Sequence, residues 1–422
     1  MLLRGLSEGR GSLAPLRVRE VRTAAFLLVV LTAGAYLPSP LYPAYQRAFE
    51  FGDLTMTLVY ATFALVSAPA LLLFGSAADA LGRRAVLRAG VGLAALGSGC
   101  FALAQGPWWL LAGRAAQGLA LGAVTGAATA LITEHAPAAI RRRASVLAST
   151  AFVAGTAAGP IAAGVLAQYA PAPQVLPYAV HLVLLAIAWR RAGALSDPRT
   201  RYRWRPARPR TPVGVRALFA TSAATGFLGW TAAGLFLAVI PAVLSRSVQI
   251  DNAAFSGAVV GAVLVCSAVS QPLVTRWGTP RAELAGLGAL LASLVALACT
   301  GGGSTAVTAV AAVTAGIGHG LSYGGASAAV DQAAPPGNRA AINSALHLAF
   351  YAGAGGPAVA VGLLTLRCPL DAAVSWLSAG ASALIPVVGL AVVLTHRRQR
   401  TYPAEVHYGR SLSTRERDGT RT

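Results

Sequence analysis

The chain has 422 residues, of which 55 % are hydrophobic and only 11 % charged, and its mean hydropathy is +0.61. A soluble domain carries about 25 % charged residues, so this composition excludes an ordinary water-soluble protein and points to lipid. The formal net charge is +20, every cation being arginine with no lysine, and its placement between the apolar runs accounts for it without a nucleic-acid partner.

Taken in chain order, apolar runs long enough to cross a hydrocarbon core as helices of about 20 residues predict twelve transmembrane spans. They fall at residues 23–44, 54–75, 85–105, 108–133, 144–169, 174–192, 216–244, 253–275, 282–300, 304–330, 340–366 and 373–395. The first run is too long for a signal peptide and lacks a clear small-residue cleavage site before its end. Its flank of Arg17, Arg19 and Arg22 argues for a cytoplasmic N-terminus. With that orientation the clusters Arg83, Arg84 and Arg88, Arg141 to Arg143, the run RYRWRPARPR from Arg201 to Arg210 and HRRQR from His396 all fall in the cytoplasm. Only Arg47, Arg246 and Arg367 fall on the opposite side, as the positive-inside rule requires. The expectation is a multi-pass protein of the cytoplasmic membrane with both termini in the cytoplasm.

The predicted organisation is a cytoplasmic segment over residues 1–22, a six-helix half over 23–192, a basic cytoplasmic linker over 193–215, a second six-helix half over 216–395 and a disordered tail over 396–422. A shift of 197 residues superposes Glu134 on Asp331, Arg142 on Arg339 and Gly159-Pro160 on Gly356-Pro357. Pro43 meets Pro241 one residue out of step. These coincidences at span ends read as two parallel repeats, the arrangement of a large class of secondary transporters with substrate held near the bilayer midplane. Glu134 with Arg142, and Asp331 with Arg339, are then candidate cytoplasmic charge pairs.

Three motifs carry more. The turn GSAADALGRRAVLR, Gly75 to Arg88, joins spans two and three; Asp79 stands four residues before Arg83, the spacing of a helical ion pair. Span four holds Arg114 as its one charge, about 9 Å below its outer end, with Gln117, Thr125 and Thr129 on the same face. A charge in a span is expensive and usually faces a water-filled cavity, although an arginine at this depth also reaches headgroups by snorkelling. Span five carries GTAAGPIAAG from Gly155 to Gly164, a small-residue face that admits a close neighbour, with Pro160 bending the helix.

These stretches resemble the major facilitator superfamily (MFS). Gly75, Asp79, Gly82, Arg83 and Arg84 match its loop signature between helices two and three, with Ala77 and Ala80 departing; Leu110, Arg114, Gln117, Gly118 and Gly122 match its fourth-helix signature. Gly155, Gly159, Pro160 and Gly164 match its antiporter signature, with Ala163 at one glycine. The resemblance, strongest to the 12-helix drug:proton antiporter group, implies an all-α polytopic fold of two pseudo-symmetric six-helix halves. It implies a gating loop at Asp79, Gly82, Arg83 and Arg84, and a cavity-facing Arg114 in proton or substrate coupling. It further implies that the fifth-helix motif marks exporters that exchange substrate for protons. The plainer readings are a topogenic charged turn and a kinked packing helix.

None of the fourteen acidic residues lies deep inside a predicted span. Asp53 reads as a helix N-cap. The stretch GAYLPSP, Gly34 to Pro40, resembles a first-helix pattern of drug exporters but has Gly34 where the acid would be. Histidine remains as the titratable type. His319 in span ten, with Ser322 and Tyr323 on its face, and His347 in span eleven, in line with Asn343 and Tyr351, are candidate coupling residues or hydrogen-bonded packing residues. His181 in span six has no polar neighbours on its own face. Cys100, Cys266, Cys299 and Cys368 lie far apart, without metal or redox spacing.

The sequence therefore predicts a secondary active transporter working by alternating access, exporting small amphipathic organic molecules in exchange for protons. Its alternatives are an uncoupled facilitator or importer and, remotely, a polytopic enzyme or sensor. No cofactor, metal, catalytic cluster or nucleic-acid partner is expected. The partners are a small-molecule substrate, protons and the bilayer, and the fold suffices as a monomer.

Overall fold

The computed structural model of the chain describes residues 14–74, 81–134, 141–196, 215–334 and 339–401. Among them are twelve helices of 18 or more residues. The N-terminal six are α1 (Ala14–Tyr36), α2 (Asp53–Phe74), α3 (Arg83–Ala102), α4 (Pro107–Glu134), α5 (Arg141–Tyr169) and α6 (Leu176–Gly193). The C-terminal six are α7 (Arg216–Ala238), α8 (Ala253–Ser270), α9 (Thr279–Thr300), α10 (Thr305–Ala333), α11 (Arg339–Leu364) and α12 (Leu370–Thr401). Ten spans are long and apolar enough to cross a membrane. The two helices outside that set are α4, which carries Arg114 and Gln117, and α6, which ends in Arg190 and Arg191.

Proline sets the breaks. α1 stops at Tyr36 because Pro38 and Pro40 lack the N–H that would continue the ladder and their rings clash with the preceding turn. The chain resumes as a 3₁₀ turn, Ser39–Leu41, and a short helix, Tyr42–Phe49. The sequence-predicted first span, 23–44, thus becomes two pieces, and α1 begins earlier, at Ala14. The second half repeats the device: α7 ends at Ala238 and the short helix Ile240–Arg246 follows with Pro241 in its first turn. Pro160 lies inside α5 and Pro357 inside α11, at equivalent places.

Within the first half α4 packs against α1, α2 and α3, while α1 also rests on α5 and α6. Within the second, α10 packs against α7, α8 and α9, and α12 against α9. The halves meet through two principal seams, α2 with α11 and α5 with α8. A six-helix shift turns one seam into the other, which is what a pseudo-two-fold relation requires. Lipid supplies no hydrophobic drive between helices, so such seams depend on close backbone approach. Gly164 on α5 has no room for a side chain against Ala253 of α8, and a Cβ on Gly257 of α8 would lie 2.5 Å from the Pro160 carbonyl oxygen.

With the twelve long helices running alternately up and down, the start of α1 and the end of α12 lie on one face, called here the terminal face, and the loop before α2 and the loop before α8 lie on the far face.

Candidate functional site

Arg114, Gln117 and Ser39, three of the polar side chains buried in the first half, meet where α1 breaks. The last carbonyls of a helix have no partner within it, and the Leu37-Pro38 exit supplies few. α4 supplies the donors. Arg114 Nη1 donates to the Ala35 carbonyl at 2.5 Å and to Gln117 Oε1 at 2.9 Å, and Gln117 Nε2 donates to the Gly34 carbonyl at 3.1 Å. A cation suits the negative end of a helix, so Arg114 and Gln117 together cap α1. The guanidinium carbon also lies 4.7 Å from the Phe63 ring centroid and 5.7 Å from that of Tyr60, close enough for a cation–π contribution. Arg114 is 0 % exposed, so it does not snorkel to the headgroups. Its Nε and Nη2, and the hydroxyls of Ser39, Tyr42 and Tyr178, have no hydrogen-bond partner. Thr125, expected on the same polar face, instead donates to the Leu121 carbonyl of its own helix.

The position where the exporter pattern would have an acid is filled from elsewhere. The imidazole of His181, from α6, occupies the space a side chain at Gly34 would need. It is held by the Val30 carbonyl at 2.9 Å from Nε2 and by Ser98 Oγ at 2.7 Å from Nδ1. The sequence shows no polar neighbour for His181 because both partners come from other helices, α1 and α3.

In the second half the two candidate histidines share one cluster of rings. His319 accepts or donates at Nδ1 to Ser267 Oγ, 2.8 Å away, stacks on Tyr323 with centroids 5.4 Å apart and meets Trp230 edge-on at 4.7 Å. His347 Nδ1 lies 2.8 Å from the Asn343 carbonyl, its Nε2 lies 3.5 Å from the Tyr323 hydroxyl, and its ring packs on Phe350. Tyr323 therefore bridges α10 and α11. His319 Nε2 and Trp230 Nε1 have no hydrogen-bond partner.

The fifth-helix motif lies where three helices meet. Gly155 and Gly159 press on Val29, Thr32 and Ala33 of α1, while Pro160 and Gly164 face α8 across the seam between halves. The loop motif is partly outside the described residues: Asp79 falls there, while Gly82 caps α3 and Arg83 and Arg84 open it, half-buried. Gly82 has φ +89° and its counterpart Gly278, before α9, has φ +79°, a conformation that favours glycine and a second register, of 196 residues, for the repeat. Of the expected cytoplasmic charge pairs, Asp331 accepts from Asn343 Nδ2 at 3.1 Å; the side chains of Glu134, Arg142 and Arg339 lie outside the described residues.

Two features escape the sequence reading. On the far face the halves exchange ion pairs: Arg47 of the first half meets Asp251 of the second at 3.1 Å, and Arg246 of the second meets Asp53 of the first. Arg47 also donates to Ser245, and Gln46 to Asp53. Asp53 and Asp251 stand 198 residues apart, the same offset as Pro43 and Pro241. The carboxylate read as a helix cap is thus engaged across the halves. The second feature is Glu283, which is 0 % exposed, with neither carboxylate oxygen hydrogen-bonded. It is the second residue of the sequence-predicted span 282–300: with Pro280 in its first turn, α9 begins at Thr279, three residues before that span, which puts Glu283 a full turn within the helix.

Solved structures share this fold, two of them of one protein. They are a bacterial homolog to the human lysosomal transporter Spinster in an inward-facing, unoccupied conformation (TM-score 0.69, 14 % identity, 92 % of this chain and 99 % of that one) and in an inward-facing, occupied conformation (TM-score 0.68, 15 % identity, 92 % and 98 %). No curated protein matches the chain. The model of the Major Facilitator Superfamily matches residues 24–357, a stretch that runs from α1 into α11; the chain belongs to that superfamily of membrane transporters.

Proposed function

We propose that the protein exports small amphipathic organic molecules across the cytoplasmic membrane in exchange for protons, as a monomer with both termini in the cytoplasm. The observation that carries this reading is the position of Gly155, Gly159, Pro160 and Gly164. The motif that resembles the exporter signature lies where α5 contacts both α1 and α8, so it acts on packing within one half and on the seam between halves at once. The reciprocal ion pairs on the far face support alternating access, since a rocking pair of halves needs contacts that close one side and can be released. In this reading Asp79, Gly82, Arg83 and Arg84 gate the terminal face, and Glu134, Arg142, Asp331 and Arg339 act beside them.

Arg114 and Gln117 then act on transport through the end of α1, whose carbonyls they hold. His319 and His347, with Trp230 and Tyr323, offer substrate a ring-lined surface with hydrogen-bonding atoms, the usual composition of a small-molecule site. The test is reconstitution in liposomes with an imposed pH gradient, following ethidium as an amphipathic probe, with and without an ionophore. Accumulation that the ionophore abolishes is the expected result. A second reading, an uncoupled facilitator, is favoured by Gly34, where the exporter acid is replaced and its space filled by a hydrogen-bonded histidine; equilibration indifferent to the ionophore would establish it.

A further inference from the structure

We propose that Glu283 is the carboxyl through which the second half takes up and releases the coupled proton; this rests on the reading of proton-coupled export. The side chain lies on the seam between α9 and α10, the most extensive in the molecule's second half. A Cβ on Gly325 of α10 would lie 2.8 Å from Glu283 Cγ, and one on Gly286 of α9 would lie 2.5 Å from the Ser322 backbone nitrogen. The missing side chain at Gly325 is what leaves room for the acid.

Packing alone does not call for an acid there. The register that superposes Gly82 on Gly278 superposes Leu87 on Glu283, and Leu87 is likewise 0 % exposed. One repeat fills the position with an aliphatic side chain and the other with a carboxyl that makes no hydrogen bond. The ionisable groups on the elements packed against α9 are His319 and Asp331 on α10, Arg216 on α7, Arg276 on the short helix before α9, and Asp371, His396, Arg397 and Arg398 on α12. With Tyr323 on α10 and Arg281 and Cys299 on α9 itself they complete the set among the described residues, and neither oxygen of Glu283 has a hydrogen-bond partner among them.

An ionised carboxylate in this place would be a bare charge, whereas the neutral acid leaves only a hydrogen bond unmade. A proton therefore enters this packing with the side chain. It leaves when α9 and α10 separate enough for water to reach the oxygens, and linkage then makes proton release and that rearrangement mutually dependent.

The variants Glu283→Leu and Glu283→Gln test this in the ethidium liposome assay. Leucine is the side chain that the equivalent position already accommodates, so folding is expected to survive. Both variants should lose gradient-driven accumulation and keep downhill equilibration of ethidium, and the infrared carbonyl band of a protonated carboxylic acid, present in the purified unmodified protein at neutral pH, should be lost in Glu283→Gln. Gradient response in Glu283→Leu equal to that of the unmodified protein, or a band that survives the substitution, overturns the proposal alone. An unmodified protein indifferent to the gradient overturns proton-coupled export and this proposal with it.

Discussion

Removing the far-face ion pairs should shift the protein toward a state open on that face, and the two pairs should contribute unequally. Solvent-exposed pairs contribute about 0.2–1 kcal/mol each. Arg47 and Asp251 are 55 % and 70 % exposed at their side chains, which places that pair at the low end; Asp53 is 11 % exposed and engages both Arg246 and Gln46, which places it at the high end. Together they supply about 1.2 kcal/mol, or about a 7-fold change in the ratio of closed to open forms, at about 1.4 kcal/mol per tenfold. The assay is a spin-label distance measurement between Leu103→Cys, at the loop after α3, and Leu366→Cys, at the loop after α11, both 67 % exposed on the far face, with the four native cysteines replaced. Asp53→Asn should add a longer-distance population, Asp251→Asn a smaller one, and the exchange Asp53→Arg with Arg246→Asp should restore the short distance. Salt should reproduce the Asp251→Asn effect more readily than the Asp53→Asn effect, because exposed charges are screened first. A distance distribution unmoved by both neutralisations would refute the assignment of these pairs to closure.

Three further outcomes follow from the packing. Arg114→Leu strands the Ala35 carbonyl and the Gln117 oxygen and should cost about 2–3 kcal/mol, read as a lowered unfolding temperature in detergent, with Arg114→Lys intermediate because one ammonium replaces a fork. Gly34→Ala drives a methyl into the His181 ring and should destabilise by about 1–3 kcal/mol; His181→Ala in the same chain should recover much of that, a non-additivity that a double-mutant cycle measures. Gly164→Val should separate α5 from α8 and reduce ethidium transport in liposomes, while Gly99→Ala, where a Cβ meets nothing within 4 Å, should leave it unchanged.

The number of spans, the repeat and the family are legible in the sequence because they rest on properties each residue carries alone: hydropathy, the placement of arginine, and glycine or proline at turns. Partnership is not. Arg114 stands out as an unpaired charge on α4, but that its acceptors are the carbonyls of Gly34 and Ala35 depends on how far α1 runs before Pro38 ends it. His181 has no polar neighbour in its own helix and two in others. Arg47 and Asp251 are 204 positions apart, and only closure of the far face brings them together. Glu283 escapes for a local reason: next but one to Arg281 and second in the predicted span 282–300, it reads as part of the charged helix end, because the turn Thr279-Pro280-Arg281 that opens α9 looks like loop to a hydropathy reading.

The repeat also shows how the two halves have come to differ. The offset that superposes Glu134 on Asp331 places Arg114 on Ala311, a buried position in α10; there the helix offers only its backbone, and the Ala311 carbonyl accepts from Ser293 Oγ. The first half thus holds a cation tied to α1, and the second half has no counterpart to it. The reverse is true at Leu87 and Glu283, where the first half is apolar and the second holds an acid without a partner. A group that a transport cycle uses must change its surroundings between states, because a ligand or proton shifts an equilibrium only by binding the states differently. Nη1 of Arg114, held by Ala35 and Gln117, and His181, held at both ring nitrogens, already have partners in this conformation. Unpartnered buried atoms stand in both halves, Nε and Nη2 of Arg114 with the hydroxyls of Ser39, Tyr42 and Tyr178 in the first, and the Glu283 oxygens, His319 Nε2 and Trp230 Nε1 in the second. Arg114 keeps hydrogen bonds through Nη1 whereas neither oxygen of Glu283 has one, and that difference is the reason for proposing the exchanged proton on the second half.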